Sequence, residues 1–236
     1  MRLDKYLANS GLGSRKEVKT LIKKKKITVD GVIVKSDSFD VTEGVNHVFY
    51  DGQEIFYKEF HYILLNKPQG YVSAVEDNVY PPVTDLVPEY EFAKLFPVGR
   101  LDVDTTGALL LTNDGDLCHK LLAPKYHVDK TYYVEVDGIM TNKLIKAFKE
   151  GIMMDGELTL PGDLVILSEH TGELTIHQGK FHQVKRMFQH FGLKVTRLDR
   201  KTFAFLGHDD IELGSYRELT AQEEDRLKAM VEHSKL

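Results

Sequence analysis

Val98 to Asp116, VGRLDVDTTGALLLTNDGD, is the stretch whose side chains are best placed to do chemistry. Gly99, Arg100, Leu101 and Asp102 set a cation and a carboxylate two residues apart at a glycine-marked bend, and Asp104 adds a second carboxylate. Thr105-Thr106-Gly107 reads as loop and Ala108 to Leu111 as a short buried strand. Asn113-Asp114-Gly115-Asp116 reads as a turn that continues the strand into a hairpin. Loops held on rigid strands are where reactive groups usually sit. Spacing alone also allows Asp102 to cap a turn and pair with Arg100 at the surface, an interaction worth about 0–1 kcal/mol.

Other segments could complete a site. Gln178 to Phe188, QGKFHQVKRMF, reads as a loop feeding a helix that runs to Phe191 and stops at Gly192. Lys180, Lys185 and Arg186 near the helix start are poorly placed for its dipole but suit an anionic ligand. Lys130 to Val136, KTYYVEV, is a strand in which Tyr132 and Tyr133 point to opposite faces. One can face a site while the other packs in the core. Lys67, in NKPQGYVS, is either a cation for a phosphate or a lysine on an exposed turn. Lys125, His127 and Lys130 form a basic patch with Tyr126 interleaved.

The elements that must position these groups follow from pattern. Strands are expected at His61–Leu65, Val165–Leu167, Glu173–His177, Val195–Leu198 and Thr202–Phe205, with Tyr71–Ser73 resuming the first of them. Leu117–Leu122 is a short helix stopped by Pro124. Thr141–Gly151 is an amphipathic helix with Leu144, Ile145 and Phe148 inward. A polar helix from Ala221 to about His233 turns Leu227 and Met230 inward.

The chain has 236 residues, 42% of them apolar, enough for a large domain with a small one. The lone cysteine, Cys118, excludes a disulfide framework and makes a reducing compartment the expectation. No apolar run approaches the ~20 residues of a membrane span, and the first residues are too polar for a signal peptide. A cytoplasmic protein is expected. P-loop and HExxH patterns are absent, so neither gives support for a nucleotide or zinc site.

The net charge of −5 hides an asymmetry. Residues 1–35 carry ten cations against three anions, a balance of +7, and the other 201 residues sum to −12. A basic head on an acidic body suits a polyanionic partner at one end. In the head, Leu3, Tyr6 and Leu7 follow helical spacing to Gly11. Ser14 and Glu17 form a capping box for a helix from Arg15 to about Lys25, with Val18, Leu21 and Ile22 on its apolar face. Arg15, Lys16, Lys19 and Lys23 lie on the other side, and Arg2 precedes the first helix. Ile27–Val29, Asp30-Gly31 and Val32–Val34 read as a two-residue hairpin. The composition changes near 58–60, giving an expected division into 1–58 and 59–236.

The order of helices, cap and TVDG hairpin resembles the small RNA-binding domain of a small-subunit ribosomal protein. GRLDVDTTG with LLLTNDG, NKPQGYVS, KTY, HQVKRMF and the YRELT tail together resemble the RsuA-type ribosomal RNA pseudouridine synthases. The resemblance spans nearly the whole chain. It implies an α+β protein: a small α/β RNA-binding head, then a larger mixed, mostly antiparallel sheet domain with flanking helices. It implies Asp102 as the essential carboxylate, Tyr132 beside the target base and Lys185 as the cation paired with Asp102. Lys67, Arg100, Lys180 and Arg186 would join Arg2, Arg15, Lys16, Lys19 and Lys23 in holding RNA. Gln178 stands where Glu is common in that family.

Isomerising uridine exchanges no external atoms, so neither cofactor nor metal is implied. The carboxylate can stabilise or attack C1′ or take the C2′ proton, and a cation within ~4–6 Å, Lys185 or Arg100, keeps it ionised. The expected partner is 16S ribosomal RNA, naked or within an assembling small subunit, met by a monomer with no membrane association. The alternatives are a sister enzyme acting on 23S RNA and a non-catalytic RNA-binding assembly factor.

Overall fold

The computed structural model describes residues 1–232. The helix end expected near His233 lies outside the described residues. The chain forms two compact units, Met1–His61 with Val87–Leu95, and Tyr62–Leu86 with the chain from Phe96 onward.

The first unit begins with α1 (Leu3–Asn9) and α2 (Arg15–Lys23). Ser14 Oγ accepts from Glu17 N and the Glu17 carboxylate accepts from Ser14 N, the expected capping box, typically worth ~1 kcal/mol. Val18 and Ile22 are buried, each contributing about 1.5–3 kcal/mol. The sheet that follows is ordered β2-β1-β3-β4, from β1 (Ile27–Val29), β2 (Val32–Ile33), β3 (Val48–Tyr50) and β4 (Gln53–Ile55). Asp30 at φ 50° and Gly31 at φ 80° make the left-handed pair that a two-residue hairpin requires. Leu3, Leu7, Val18, Ile22, Ile27 and Val48 close a core of the unit's own.

The division falls after His61 rather than after 58, and residues 87–95 join the head. The reason is aromatic. His61 packs edge-on against Tyr90 and Phe92 at 5.8 and 5.3 Å, and its Nε2 lies 3.2 Å from the Asn9 carbonyl. No sequence period announces that cluster.

The second unit is built on a nine-stranded sheet. Its elements are β5 (Tyr62–Lys67), β6 (Phe96–Pro97), β7 (Thr106–Thr112), α3 (Gly115–Leu122), β8 (Lys130–Val136) and α4 (Asn142–Glu150). After a small hairpin of its own, β9 (Met153–Met154) and β10 (Glu157–Leu158), come β11 (Asp163–Ile166), β12 (Thr171–Ile176) and α5 (Gln183–Gln189). β13 (Val195–Phe203), β14 (Leu206–Gly207), β15 (Tyr216–Glu218) and α6 (Ala221–Glu232) complete it. The order is β11-β12-β8-β13-β7-β5-β15, with β14 on β13 and β6 on β7. Every pairing is antiparallel except β13 with β7. That junction needs Gly107: a Cβ there would stand 2.4 Å from the Arg200 carbonyl oxygen. Tyr62, Leu64, Leu110, Leu121, Phe203 and Leu227 fill the core.

Several expectations change. Asp114 does not turn a hairpin; its carboxylate accepts from Leu117 N and caps α3. Val195 to Phe203 is one strand, because its polar middle finds partners inside the unit: Asp199 in Thr106 and His208, and the Arg200 Nε in the Ala108 carbonyl. Tyr71–Ser73 forms only a bridge at Val72 to Pro82. Ile145 is 38% exposed, leaving Leu144 and Phe148 to seat α4, and Val231 rather than Met230 joins Leu227 on the buried side of α6. Lys130 belongs to no surface patch; it is buried, its Nζ donates to the Val128 carbonyl, and burial lowers its pKa to about 8.

Candidate active site

A cleft opens in the second unit beside the start of β7. Arg100, Asp102, Thr105, Tyr132, Lys180, His182, Gln183 and Lys185 line it. Of the residues expected in a site of this domain, Asp102, Tyr132, Lys185, Arg100 and Lys180 therefore meet there, and Lys67 and Arg186 do not.

The loop carrying Asp102 is fastened from beneath by the NKPQGYVS segment. Gly70 N donates to the Val103 carbonyl at 2.9 Å and Gln69 Nε2 to the Asp104 carbonyl at 3.0 Å. Ser73 Oγ donates to the Leu101 carbonyl and accepts from Leu101 N, both at 3.0 Å. Lys67 is the centre of this fastening. It is fully buried, and its Nζ donates to the carbonyls of Pro68, Asp102 and Thr105 at 3.1, 3.0 and 2.9 Å. Three ammonium protons meet three carbonyl oxygens. Lys67 is thus not a phosphate ligand, and not a lysine on an exposed turn either. Its reach is used up in shaping the loop. Burial lowers its pKa to about 8, with the charges of Asp104 and Asp102 opposing the fall.

The carboxylates face α5. Lys185 Nζ donates to Asp102 Oδ2 at 2.7 Å and to Asp104 Oδ1 at 2.6 Å. Burial opposes the Lys185 charge, but these two bonds outweigh it and hold the ammonium above the usual lysine value. Burial likewise works against the Asp104 charge, and Lys185 reverses it, keeping that carboxyl below its ordinary range. His182, the residue before α5, has φ 46° and sets Nε2 3.3 Å from Asp102 Oδ1. Sequence reasoning passed over His182. Its one signal was position, immediately before the basic helix.

Of the paired tyrosines, Tyr132 is buried and lines the cleft. Tyr133 is on the other face, where its hydroxyl donates to Glu135 and Arg197 lies over its ring. Arg100 is exposed at the cleft edge. Two cations expected to hold RNA have other partners: Arg186 forks onto Asp155 at 2.9 and 2.6 Å, and Lys180 Nζ donates to Glu157 at 2.7 Å. Both acids belong to the hairpin formed by β9 and β10. In the first unit, Arg2 is bound to Asp4 and Lys19 to Asp37, whereas Arg15, Lys16 and Lys23 are exposed on α2.

A paired carboxylate, a cation and an aromatic in one cleft suit chemistry on a flipped-out nucleoside. Residues 61–190 match the RNA pseudouridylate synthase family and residues 1–46 match the S4 domain. The chain belongs to the RNA pseudouridylate synthase family, in its RsuA-type branch, and is a pseudouridine synthase with an N-terminal S4 domain. It is 43% identical to the RNA pseudouridine synthase YtzG of Bacillus subtilis, over 94% of this chain and 96% of that protein. It is 39% identical to the ribosomal large subunit pseudouridine synthase B of the same organism, over 99% and 98%. It is 41% identical to the ribosomal small subunit pseudouridine synthase A of Vibrio cholerae, over 94% and 97%. A crystal structure of a pseudouridylate synthase, 36% identical, superimposes with a TM-score of 0.68, covering 96% of this chain and 99% of that one. Among the described residues no helix is long and apolar enough to cross a membrane.

Proposed function

We propose that this chain converts one uridine of ribosomal RNA, in the 16S molecule of the small subunit, to pseudouridine, with Asp102 as the catalytic carboxylate. The observation that carries the reading is Lys185 Nζ at 2.7 Å from Asp102 in the cleft that Tyr132 lines. The reaction breaks the N1–C1′ bond, rotates the uracil and joins C5 to C1′. The C5 proton leaves and N1 gains one, so atoms balance with no co-reactant. Positive charge develops at C1′ as the glycosidic bond breaks. The carboxylates of Asp102 and Asp104, gathered by the Lys185 ammonium, can stabilise that charge. Asp102 acts there as stabiliser or nucleophile at C1′, or as the base that removes the C2′ proton.

Extruding the uridine costs a few kcal/mol, and stacking on Tyr132 returns about 1–3 kcal/mol. The exposed cations of α2 would grip phosphates and leave the base to the cleft. The protein would work as a cytoplasmic monomer on naked RNA or on an assembling particle.

The small-subunit assignment follows the names of the relatives from three Vibrio species, Haemophilus influenzae, Yersinia pestis and Pasteurella multocida, against the large-subunit synthase of Bacillus subtilis. Pseudouridine mapping across both rRNAs, in cells with and without the protein, tests it. Loss of one 16S pseudouridine is expected. Loss in 23S RNA would move the substrate to the large subunit, and no loss in either would overturn the rRNA assignment.

A further inference from the structure

The aromatic pair Phe181–His182 has no task in the chemistry above. Phe181 is 75% exposed. Its ring lies face to face with the His182 imidazole, the centroids 3.8 Å apart and the planes 21° apart. His182 in turn reaches Asp102 Oδ1 at 3.3 Å. One face of the phenyl ring is therefore covered by a side chain of the cleft, and the other is open to solvent. The segment is anchored. Lys180 N donates to Gln183 Oε1 at 2.9 Å, Gln183 N donates to the Lys180 carbonyl at 3.1 Å, and Arg186 Nη1 reaches the Phe181 carbonyl at 3.4 Å. The left-handed His182 adds local strain that persists only where the surroundings impose it.

We propose that Phe181 is a stacking platform for an unpaired nucleobase adjacent to the target uridine, a specificity-determining residue of this enzyme. An exposed planar ring held next to a catalytic carboxylate matches what a splayed RNA base seeks, because every base has a π-face. Extrusion of the uridine strips a stacking partner from its neighbour, and Phe181 replaces it. Lys180 and Arg186 are held by Glu157 and Asp155, so the platform acts by stacking and not by charge. The proposal rests on the Asp102 cleft being the uridine site.

The test uses the full chain as wild type, Phe181→Ala and Phe181→Trp, each also in an Asp102→Asn background, with unmodified small- and large-subunit rRNA transcripts as probes. Phe181→Ala is expected to raise KM about 5- to 100-fold with kcat little changed, and to weaken RNA binding of the Asp102→Asn protein by a similar factor. Phe181→Trp should restore both. KM and affinity within twofold of the parent would overturn the platform. So would a fall in kcat together with a lowered Tm, which marks a structural role. If the wild type makes no pseudouridine, the uridine-site reading fails instead, and the affinity comparison still decides the platform.

Discussion

The hydrogen bond between Lys67 and Asp102 runs to the Asp102 backbone and not to its carboxylate. The Lys67 ammonium donates to the Asp102 carbonyl at 3.0 Å, while the Asp102 carboxylate turns away to Lys185 at 2.7 Å. Loop and carboxylate are thus held by separate lysines. One sets where the loop runs and the other binds its carboxylate.

Asp102→Ala should abolish pseudouridine formation while leaving RNA affinity within a few-fold, measured by product analysis and filter binding. Asp104→Asn should be far milder, about tenfold or less in kcat. Asp104 shares Lys185 but is the more exposed of the two, with 70% of its side chain accessible against 26% for Asp102. Equal losses would make both carboxylates essential.

Lys185→Met leaves two neighbouring carboxylates without their cation. A kcat loss of about 10²–10³-fold is expected, the scale of losing one electrostatic stabiliser, with Lys185→Arg within about tenfold of wild type. Single-turnover kinetics would separate this from weaker binding. Unchanged kcat in Lys185→Met would remove the ion pair from the mechanism.

Lys67→Met takes the donor from three carbonyls, that of Thr105 buried, and a destabilisation of about 2–5 kcal/mol is expected from denaturant midpoints. The pH dependence has a definite sign. A folded pKa of about 8 lies below the unfolded lysine value of ~10.4, so between those pH values the unfolded chain holds more protons. This group therefore adds stability as pH rises through that window. Activity should move the other way, since a neutral amine has two protons for three carbonyls and the loop loosens. An alkaline limb in kcat near pH 8 is expected, without a matching drop in Tm. It should survive Lys130→Met, which removes the other buried lysine of pKa about 8.

Replacing Arg15, Lys16 and Lys23 by alanine should reduce the slope of log K against log salt by about 0.7–0.9 for each phosphate no longer neutralised. Arg2→Ala should change that slope little and lower stability instead, because Arg2 is bound bidentately to the buried Asp4. Equal slopes for the triple variant and wild type would take α2 out of RNA binding.

Asp102, Tyr132 and Lys185 were legible from motif order, and the strand Lys130–Val136 from alternation. Lys67 was not. A lysine after an apolar run and before Pro-Gln-Gly looks like turn chemistry, and only the folded loop reveals the carbonyls that take it inside. Asp114-Gly115 is equally good as a hairpin turn or as cap and first helical residue. Leu117 and Leu121, one helical turn apart, decide for the helix. The strand Val195–Phe203 looked broken because Asp199, Arg200 and Lys201 interrupt its apolar pattern. Their partners lie on elements distant in sequence: Thr106, Ala108 and Glu173.

With Asp155 clasping Arg186 and Glu157 clasping Lys180, two of the cations near the cleft have acid partners of their own. On the proposed reading, long-range capture falls mainly to the helix at residues 15–23, whose pull fades as counterions crowd it. The short bonds at Asp102, partly sheltered from solvent, feel that crowding far less. Salinity would then govern how often a transcript is sampled and leave the pace of each conversion almost untouched.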